Sequence, residues 1–521
     1  MTSSRKVFMI MDRQEEEHVQ PWPSYHIEVP RRLKVIQYRL EDTGLIDDPR
    51  IEHIPRREAT EEELLSVHTK RYVDDVKTTE TMTVEEQEAF SSKYEDIYVN
   101  SATWRRAKLA AGSAIDLVTR ILEAPADKQP TGIAFVRPPG HHAMPDAGCG
   151  FCIFNNVAIA AKTAIRKGLA RKVLIVDYDV HAGNGTQECI EEGPDDIRLI
   201  SIHRYEQGTF WPNLPLSGLY HEYQKTINVP LKTTGYGDKH YHAIFTHVVL
   251  PFCHSYRPDL ILVSSGFDAA RGDPEGSMNV SPAGFGTLMR MLLETGRPVA
   301  AILEGGYFLD ALAAGSEWVL RAMLGEKIPR IVTEMQMPTE DVPNPDPPEI
   351  MSTIWEVLSR HRTQCDFFRK ILQLRRRLHG PLIVPPQLHQ DFFGERTVAA
   401  PFQTRDVYKP LAARLVEAHR SSLRAELARY KLPEKVIPLP DLEQHPEIPG
   451  FVGICDAGEI VYGSAVAKIF VALIFLAPSD SLFAVGPIVE DANFETVELD
   501  EFSMNKIKVL STLKKLPIMH P

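Results

Sequence analysis

The chain has 521 residues, and its 58 Lys and Arg against 70 Asp and Glu give a formal net charge of −12. This acidic balance argues against a protein that binds nucleic acid through a basic surface of its own. A hydrophobic fraction of 43% argues against disorder over most of the length. At this length we expect one large domain and a smaller region, or two unequal domains, rather than a single core.

Cysteine content and apolar segments restrict the compartment. Six cysteines, of which only Cys149 and Cys152 are close in sequence, are too few for a disulfide scaffold and suit a reducing environment. The N-terminal apolar run 7–11 is too short for a signal peptide. The longest apolar stretch, 464–478, falls short of the roughly 20 residues that a membrane span needs. We therefore predict a soluble protein of the cytoplasm, the nucleus or both, without a membrane or a direct nucleic-acid partner.

Five short apolar runs before residue 310 end in polar or glycine-rich clusters, at 132–136, 172–176, 197–202, 260–264 and 298–303. Their apolar character is continuous rather than alternating, which is typical of parallel strands that are buried on both faces. Helical segments separate them, at 107–122, 157–167 and 283–294. This alternation predicts an α/β domain with a parallel sheet flanked by helices.

The composition of the chain changes near residue 331. Residues 331–350 are rich in proline and acidic side chains, which indicates a linker. Within 351–521, two helical stretches at 352–378 and 409–430 are predicted to precede strands and turns, and no second Gly-His-His or Asp-x-Asp-x-His sequence occurs. We predict a catalytic domain over 1–330 and a smaller, non-catalytic region over 351–521 that binds a protein partner or a second copy of the chain.

Each of the five predicted strands leads directly into a polar cluster. The clusters are Arg137–His142, Asp177–His181, Ser201–His203, Gly266–Asp268 and Glu304–Tyr307. Open α/β sheets bind ligands just beyond the carboxyl ends of their strands. We therefore expect one functional site at this edge of the sheet.

Asp179, His181 and Asp268 have the composition of a catalytic zinc site. Asp177, Asp179 and His181 are spaced two apart, so in an extended chain their side chains face the same way. One histidine and two carboxylates leave a coordination position open for water and a substrate carbonyl. The same short pattern also occurs at solvated strand ends that bind no metal, so the motif alone leaves both interpretations open.

The adjacent His141 and His142 favour the catalytic interpretation. A neutral imidazole can take a proton from an activated water molecule and later return it to a departing amine. Tyr307, which follows two glycines, could donate its hydroxyl to a developing oxyanion. These groups at one sheet edge predict a zinc-dependent amidohydrolase.

The segments that carry these residues resemble a known family. They are Arg137–His142, Gly150–Cys152, Asp177–Gln187, Gly266–Gly276 and Leu303–Tyr307. Together they resemble the zinc-dependent histone deacetylases of class II, and most of all class IIb with its polyamine-deacetylating branch. The resemblance covers about residues 5–330 in the family's motif order. It implies an arginase/deacetylase-type α/β fold and removal of acetyl groups from N-acetyl-lysine in histones or other proteins.

The resemblance also implies roles for matched residues. One catalytic zinc ion would be bound by Asp179, His181 and Asp268. Catalysis would involve the acid/base His142, the supporting His141 with its partner Asp177, and the transition-state tyrosine Tyr307. The substrate would contact a channel and its mouth at Gly150, Phe151, Trp211, Glu275 and Glu95. A structural potassium ion would be bound, largely through backbone oxygens, at Asp177, Asp179, His181, Ser201 and Ile202.

Several positions depart from the family pattern. Ala182 stands where the family usually has a second histidine, and Tyr178 where class II usually has tryptophan, so we expect an effect on rate with ligation intact. Glu95 lies where many members have an aspartate at the rim. Glu275 matches a mouth position that is leucine in many protein deacetylases and glutamate in the polyamine branch, where a carboxylate attracts a second ammonium group.

The identity of the amine stays open on the sequence. Residues 23–28 lack the insert that narrows the active site of the polyamine branch, although Glu275 favours that branch. Acetyl-lysine in proteins and an acetylpolyamine therefore both remain candidate substrates. A third candidate is a catalytically silent scaffold that binds acetyl-lysine.

Overall fold

In a computed structural model of the chain, the described residues are 6–11, 17–125, 130–328, 348–379 and 401–429, with three short strands at 460–462, 470–474 and 485–488. The predicted linker 331–350 lies outside this description up to residue 347. Within the described residues, no helix has both the length and the apolar character that crossing a membrane requires.

The centre of the molecule is an eight-stranded parallel sheet. Its strands are β1 (Val7–Met11), β2 (Ile51–His53), β3 (Thr131–Phe135), β4 (Lys172–Asp177), β5 (Asp196–Arg204), β6 (Thr226–Leu231), β7 (Leu260–Ser265) and β8 (Val299–Leu303). Their order across the sheet is β2-β1-β3-β8-β7-β4-β5-β6. The strands β3, β8, β7 and β4 are therefore neighbours, and the polar clusters that follow them lie at one edge.

Helices pack on the sheet, and further helices follow its last strand in the sequence. They are α1 (Arg31–Asp42), α2 (Glu61–Leu64), α3 (Lys70–Lys77), α4 (Val84–Ser91), α5 (Thr103–Glu123), α6 (Asn156–Arg166), α7 (Asn184–Glu191), α8 (Asp238–Ile244), α9 (Leu250–Tyr256), α10 (Pro282–Leu293), α11 (Leu309–Met323), α12 (Pro348–Arg360), α13 (Asp366–His379) and α14 (Ala413–Arg429). A separate antiparallel sheet has the order β11 (Val485–Ile488), β10 (Phe470–Ile474), β9 (Ile460–Tyr462).

The strands are buried on both faces, as their continuous apolar character predicts. Leu174 and Val176 of β4 belong to the hydrophobic cluster on one face, and Val173 and Ile175 belong to the cluster on the other. All four side chains are fully buried. Each contributes about 1.5–3 kcal/mol by leaving water, so the strands that lead to the polar clusters are held firmly in register.

The predicted α/β class is confirmed, and the five predicted strands are β3, β4, β5, β7 and β8. Sequence reasoning missed β1, β2 and β6. Strand β6 carries Asn228 and Pro230, and it lies at an edge of the sheet, where proline is tolerated because one side of the strand has no ladder to complete.

The predicted helix 352–378 is two helices, α12 and α13, separated at residues 361–365. Ile350, Ile354, Val357 and Leu358 of α12 belong to the same buried cluster as the sheet strands. Helix α12 packs against β6 and α8. These residues therefore extend the core of the α/β unit beyond residue 330, while the division of the chain into domains stays a prediction.

Candidate active site

The polar clusters meet in one cavity at the carboxyl edge of the sheet. Its volume is about 220 Å³. The predicted residues that line it are His141, His142, Gly150, Phe151, His181, Trp211, Glu275 and Tyr307. Lining residues that were not predicted as site residues are Asp96, Pro139, Phe210, Gly305 and Tyr408. Eight of the predicted site residues therefore lie around one cavity at this edge.

Asp179, His181 and Asp268 form a compact set of potential metal ligands. They are all buried, and one ligand atom of each lies within 4.8 Å of the others. His181 Nδ1 lies 3.2 Å from Asp179 Oδ1 and 3.2 Å from Asp268 Oδ2. Buried carboxylates at such short range repel each other unless a positive charge lies between them or one of them is protonated. Together with an imidazole nitrogen they fit a zinc ion that keeps one coordination position open.

Backbone amides fix the two carboxylates from outside the triad. Asp179 Oδ2 accepts a hydrogen bond from the Gly305 amide at 2.9 Å, and Asp268 Oδ1 accepts one from the Val180 amide at 2.7 Å. A Cβ atom on Gly305 would lie 2.3 Å from Asp268 Oδ2 and 2.6 Å from Asp179 Oδ2. Position 305 therefore requires glycine, because the chain after β8 passes directly over both carboxylates.

The two histidine rings lie beside the triad at an angle of 43° to each other, each with a different partner. His141 Nδ1 lies 3.0 Å from Asp177 Oδ2, and His142 Nδ1 lies 2.7 Å from Asn184 Oδ1. An amide oxygen only accepts hydrogen bonds, so His142 Nδ1 carries the proton and Nε2 keeps a free lone pair. This is the tautomer that a general base requires.

The surroundings separate the pKa values of the two rings. Burial lowers the pKa of His142, and the neighbouring His141 and His181 lower it further. Burial also opposes the charged form of His141, but Asp179 and Asp177 outweigh it and raise the pKa of His141 to about 10. The pKa values of the two rings therefore shift in opposite directions, although the ring centroids are only 3.9 Å apart.

Asp273, to which sequence reasoning gave no role, organises the loop of Tyr307 and the loop of Glu275. Its Oδ2 accepts hydrogen bonds from the amides of Tyr307 at 2.6 Å and Phe308 at 2.9 Å. Its Oδ1 accepts one from the Glu275 amide at 3.0 Å. One buried carboxylate therefore positions both the tyrosine of the cavity and the glutamate of its mouth.

A buried ion cluster supports Tyr307 from behind. Arg32 Nε donates to the Gly306 carbonyl at 2.8 Å, and its guanidinium lies 4.9 Å from the centre of the Tyr307 ring. Glu28 accepts hydrogen bonds from both Arg32 and Arg137. Burial alone would raise the pKa of Glu28, but Arg137 and Arg32 hold it well below its usual range. Arg137 belongs to the motif before the histidine pair, so its presence was visible in the sequence, whereas its partner across the fold was not.

Glu304 is a second positioning residue without a predicted role. Its Oε2 accepts hydrogen bonds from the amides of Gly140 at 2.6 Å and His141 at 3.1 Å. The carboxylate at the end of β8 therefore fixes the backbone on which the histidine pair is carried.

Phe151 and Trp211 both line the cavity. Cys149 and Cys152 exchange backbone hydrogen bonds of 3.1 and 2.9 Å, which creates a tight turn with Gly150 and Phe151 at its tip. A Cβ atom on Gly150 would lie 2.5 Å from the Trp211 ring, so the channel leaves no space for a side chain there. The Phe151 ring is nearly perpendicular to that of Tyr307 at 5.5 Å.

The structure corrects the position of the carboxylate at the mouth. Glu95 was predicted to contact substrate, but its Oε1 accepts a hydrogen bond from Trp211 Nε1 at 2.8 Å and it is absent from the cavity lining. The next residue, Asp96, lines the cavity instead. Asp96 has a φ of 54°, so the chain leaves the extended form in which a simple alternation of side chains holds.

Tyr178 and Ala182, the two residues near the metal triad that depart from the family pattern, lie in different surroundings. The Tyr178 hydroxyl is 2.6 Å from Ser265 Oγ, and its ring packs against Phe285 in the core. Ala182 is buried in the loop that follows His181. Tyr178 therefore does not line the cavity, and any influence on rate must pass through the strand that carries Asp177.

The residues predicted to bind potassium are neighbours in the structure. Asp177 on β4 pairs in register with Ser201 on β5, and Ile202 follows it. Ser201 Oγ accepts a hydrogen bond from the Gly183 amide at 3.3 Å. The loop that contains Asp179 and His181 therefore closes over the end of β5, where the potassium site stays a prediction.

Known proteins resemble this arrangement in sequence and in fold. The family described as "Histone deacetylase domain" matches residues 26–323. Polyamine deacetylase HDAC10 of Danio rerio is 42% identical over 336 residues, covering 62% of this chain and 48% of the relative. Histone deacetylase HDA1 of Saccharomyces cerevisiae is 35% identical over 376 residues, covering 68% of this chain and 50% of the relative.

Two further comparisons agree with these. Histone deacetylase 15 of Arabidopsis thaliana is 41% identical over 325 residues, covering 61% of this chain and 55% of the relative. The crystal structure of the HDA15 HD domain superposes with a TM-score of 0.60 at 36% identity, covering 70% of this chain and 98% of the domain. The chain spans about half the length of these curated relatives.

Proposed function

The chain belongs to the histone deacetylase family, as its motifs indicated, and from this premise we propose that it is a zinc-dependent deacetylase of N-acetylated alkylamines. N-acetyl-lysine in histones or other proteins is the first candidate substrate. The observation that carries the proposal is a buried metal-ligand triad whose His181 lines the same cavity as the histidine pair and Tyr307, at the carboxyl edge of the sheet.

The reaction is the hydrolysis of an acetamide to acetate and a free amine. A zinc ion bound by Asp179, His181 and Asp268 would polarise the acetyl carbonyl and make water more acidic. His142 accepts a proton from the attacking water at Nε2 and returns it to the nitrogen of the departing amine. Tyr307 donates its hydroxyl to the oxyanion that forms on the former carbonyl oxygen.

Residues around this centre hold it in a productive arrangement. Asn184 fixes the tautomer of His142, while Asp177 orients His141 beside it. Phe151 and Trp211 line the cavity and would contact the alkyl chain of the substrate, which limits the access of water to it. We propose that a potassium ion at the ends of β4 and β5 stabilises the loop of Asp179 and His181.

An acetylpolyamine is the second candidate substrate, because Glu275 lines the mouth of the cavity. Lysine side chains and polyamines share a slender alkyl chain that would contact Phe151 and Trp211. They differ further out, since a polyamine carries a second ammonium group that the Glu275 carboxylate could attract. The relatives include proteins named for each activity.

Removal of the metal tests the proposed function. We expect the zinc-loaded chain to release acetate from an acetyl-lysine peptide or from acetylspermidine, and a chelator or Asp268→Ala to reduce that release to background because the triad is broken. Added zinc should restore the chelated wild type but not Asp268→Ala. Asp75→Ala, at an exposed position on α3, is the matched control and should retain activity. Bound zinc with no acetate from any acyl substrate would favour the silent scaffold instead.

We further propose that the protein acts in the cytoplasm or nucleus, and that residues 351–521 bind a protein partner or a second copy of the chain. The first point is supported by the cysteines of the described residues, Cys149, Cys152, Cys189, Cys253 and Cys365, which are all free and buried. Such usage suits a reducing compartment.

A further inference from the structure

We propose that Tyr408 determines substrate selectivity by narrowing the cavity mouth, so that slender acetylated amines enter more readily than acetyl-lysine within a polypeptide. This inference rests on the proposed deacetylase function and favours its second candidate substrate, an acetylpolyamine, over acetyl-lysine in proteins. Tyr408 lies outside residues 26–323, which match the deacetylase domain, yet it lines the same cavity as the histidine pair.

Tyr408 contacts the mouth through both its hydroxyl and its ring. The hydroxyl donates a hydrogen bond to Asp96 Oδ2. The ring lies edge-on to His26 at 5.1 Å and to Phe151 at 5.7 Å, measured between ring centroids. The Tyr408 ring therefore extends the aromatic lining of the channel outward, and its hydroxyl contacts the Asp96 carboxylate at the mouth.

We name residues 401–429 the mouth strap. The part of the strap that precedes Tyr408 is bonded to residues near the N-terminus of the α/β unit. Trp22 Nε1 donates a hydrogen bond to the Thr404 carbonyl at 2.8 Å. The Asp406 amide donates to Ser24 Oγ at 2.9 Å. These bonds hold the backbone on both sides of residue 405, two to four residues before the tyrosine.

Additional contacts fix the same end of the strap to the segment that precedes Asp96. The Phe402 amide donates to the Ser92 carbonyl at 2.8 Å. Arg405 forms a two-pronged ion pair with Glu88, with both nitrogen–oxygen distances at 2.6 Å. The strap therefore lies along the segment that leads from Glu88 to Asp96.

The other end of the strap is fixed beside the loop of the catalytic tyrosine. Arg420 Nε lies 2.7 Å from Asp310 Oδ2, and the His419 ring lies 5.7 Å from that of Phe308. Leu423 is buried, with 2% of its surface exposed. Because the strap is attached on both sides of the mouth, Tyr408 is held between two anchors rather than on a free end.

The position of Tyr408 reduces the number of hydrogen-bond acceptors that Asp96 presents to a substrate. The half-buried Asp96 carboxylate at the mouth is a natural acceptor for N–H groups of a polypeptide that flank an acetyl-lysine. One oxygen of Asp96 is already engaged by Tyr408. Burial raises the pKa of Asp96 to about 7, with Tyr408 opposing the rise and Glu275 adding to it. A polypeptide must displace the hydroxyl and move the ring aside, whereas an unbranched amine needs neither change.

The test compares two substrates in the full-length, zinc-loaded chain. The specificity constant kcat/KM is measured for an acetyl-lysine peptide and for acetylspermidine in wild type, Tyr408→Phe and Tyr408→Ala. We expect the ratio of peptide to acetylspermidine to rise about tenfold in Tyr408→Ala, the equivalent of one hydrogen bond to a charged group. Tyr408→Phe, which keeps the ring, should give a smaller rise. Tyr38→Ala, on the outer side of α1 with 37% of its surface exposed, should leave the ratio unchanged.

The outcomes separate this inference from the proposed function. Wild type that hydrolyses neither substrate would contradict the deacetylase function itself. Wild type that hydrolyses either one, with a ratio that Tyr408→Ala leaves unchanged or lowers, would overturn the role of Tyr408 alone. Melting temperature and zinc content are measured for each variant. If Tyr408→Ala does not fold, Tyr408→Leu takes its place, since it retains apolar packing, and the same change in ratio decides.

Discussion

Two regions contribute to the same cavity. One is the group of polar residues that follow the strand ends, which we call the strand-end cluster, and the other is the mouth strap. The residues of the cluster lie at the ends of neighbouring strands, so the register of the sheet places Asp179, His181 and Asp268 together. Tyr408 instead meets Asp96 across 312 residues of sequence, through a segment held by side chains and single backbone hydrogen bonds. The groups proposed to act on the acetyl carbonyl follow the ends of sheet strands, whereas Tyr408, which we propose to affect selectivity, is carried by a segment that crosses the mouth.

Variants in the strand-end cluster and variants at the mouth should therefore affect different kinetic properties. Substitutions in the strand-end cluster should change the turnover of every substrate alike, because they alter groups that act on the acetyl carbonyl. Substitutions at the mouth should change the preference between substrates and leave turnover of the preferred one nearly intact.

Tyr307→Phe should have the largest effect of the three variants that probe this division. Loss of one hydrogen bond to the oxyanion should lower kcat by about 10²–10³-fold, with little change in KM. The reduction should be the same for acetyl-lysine peptide and acetylspermidine, which steady-state kinetics on both substrates measures. Tyr38→Phe is the matched control. A reduction confined to one substrate would show that Tyr307 serves selectivity as well as catalysis.

Glu275→Leu should have an intermediate effect, because it removes a charge at the mouth and none at the centre. We expect kcat/KM for acetylspermidine to fall about tenfold, the scale of one charged contact, while the value for the peptide stays constant or rises. Glu275→Gln keeps the size and removes only the charge, so it should reproduce most of the reduction. An unchanged preference in both variants would exclude Glu275 as the residue that distinguishes the two amines.

Arg405→Ala should have the smallest effect. The ion pair with Glu88 is exposed, with 52% of the Arg405 side chain accessible, and such pairs contribute about 1 kcal/mol or less. Because Trp22 and Ser24 still hold the strap, the substrate ratio should change far less than in Tyr408→Ala. Urea unfolding and the two-substrate assay measure both quantities. A change as large as that of Tyr408→Ala would mean that this pair, rather than the backbone contacts, keeps the strap in place.

The sequence was sufficient where local pattern and sheet geometry determine the structure. The run before Asp177 is continuously apolar, so β4 could be predicted as a buried strand and the polar residues after it as part of an edge. The spacing of Asp179 and His181 was informative for the same reason. These residues do lie together in the structure.

The sequence was insufficient where placement depends on contacts that are distant along the chain. Glu95 and Asp96 are adjacent acids, and only the backbone turn at Asp96 shows which of them enters the cavity. Tyr408 follows a segment that carries no motif, and its position results from contacts with Trp22 and Ser24. No periodicity encodes such contacts.

The hydrogen bonds of Asp273 also bear on how amine preference can evolve. Asp273 holds position 275 through the backbone amide, not through the glutamate side chain. Every amino acid except proline carries that amide, so a lineage can exchange the side chain at 275 without disturbing the carboxylate that also holds Tyr307 and Phe308. Under the proposed role of Glu275, the preferred amine can therefore change by a single substitution while Tyr307 keeps its place.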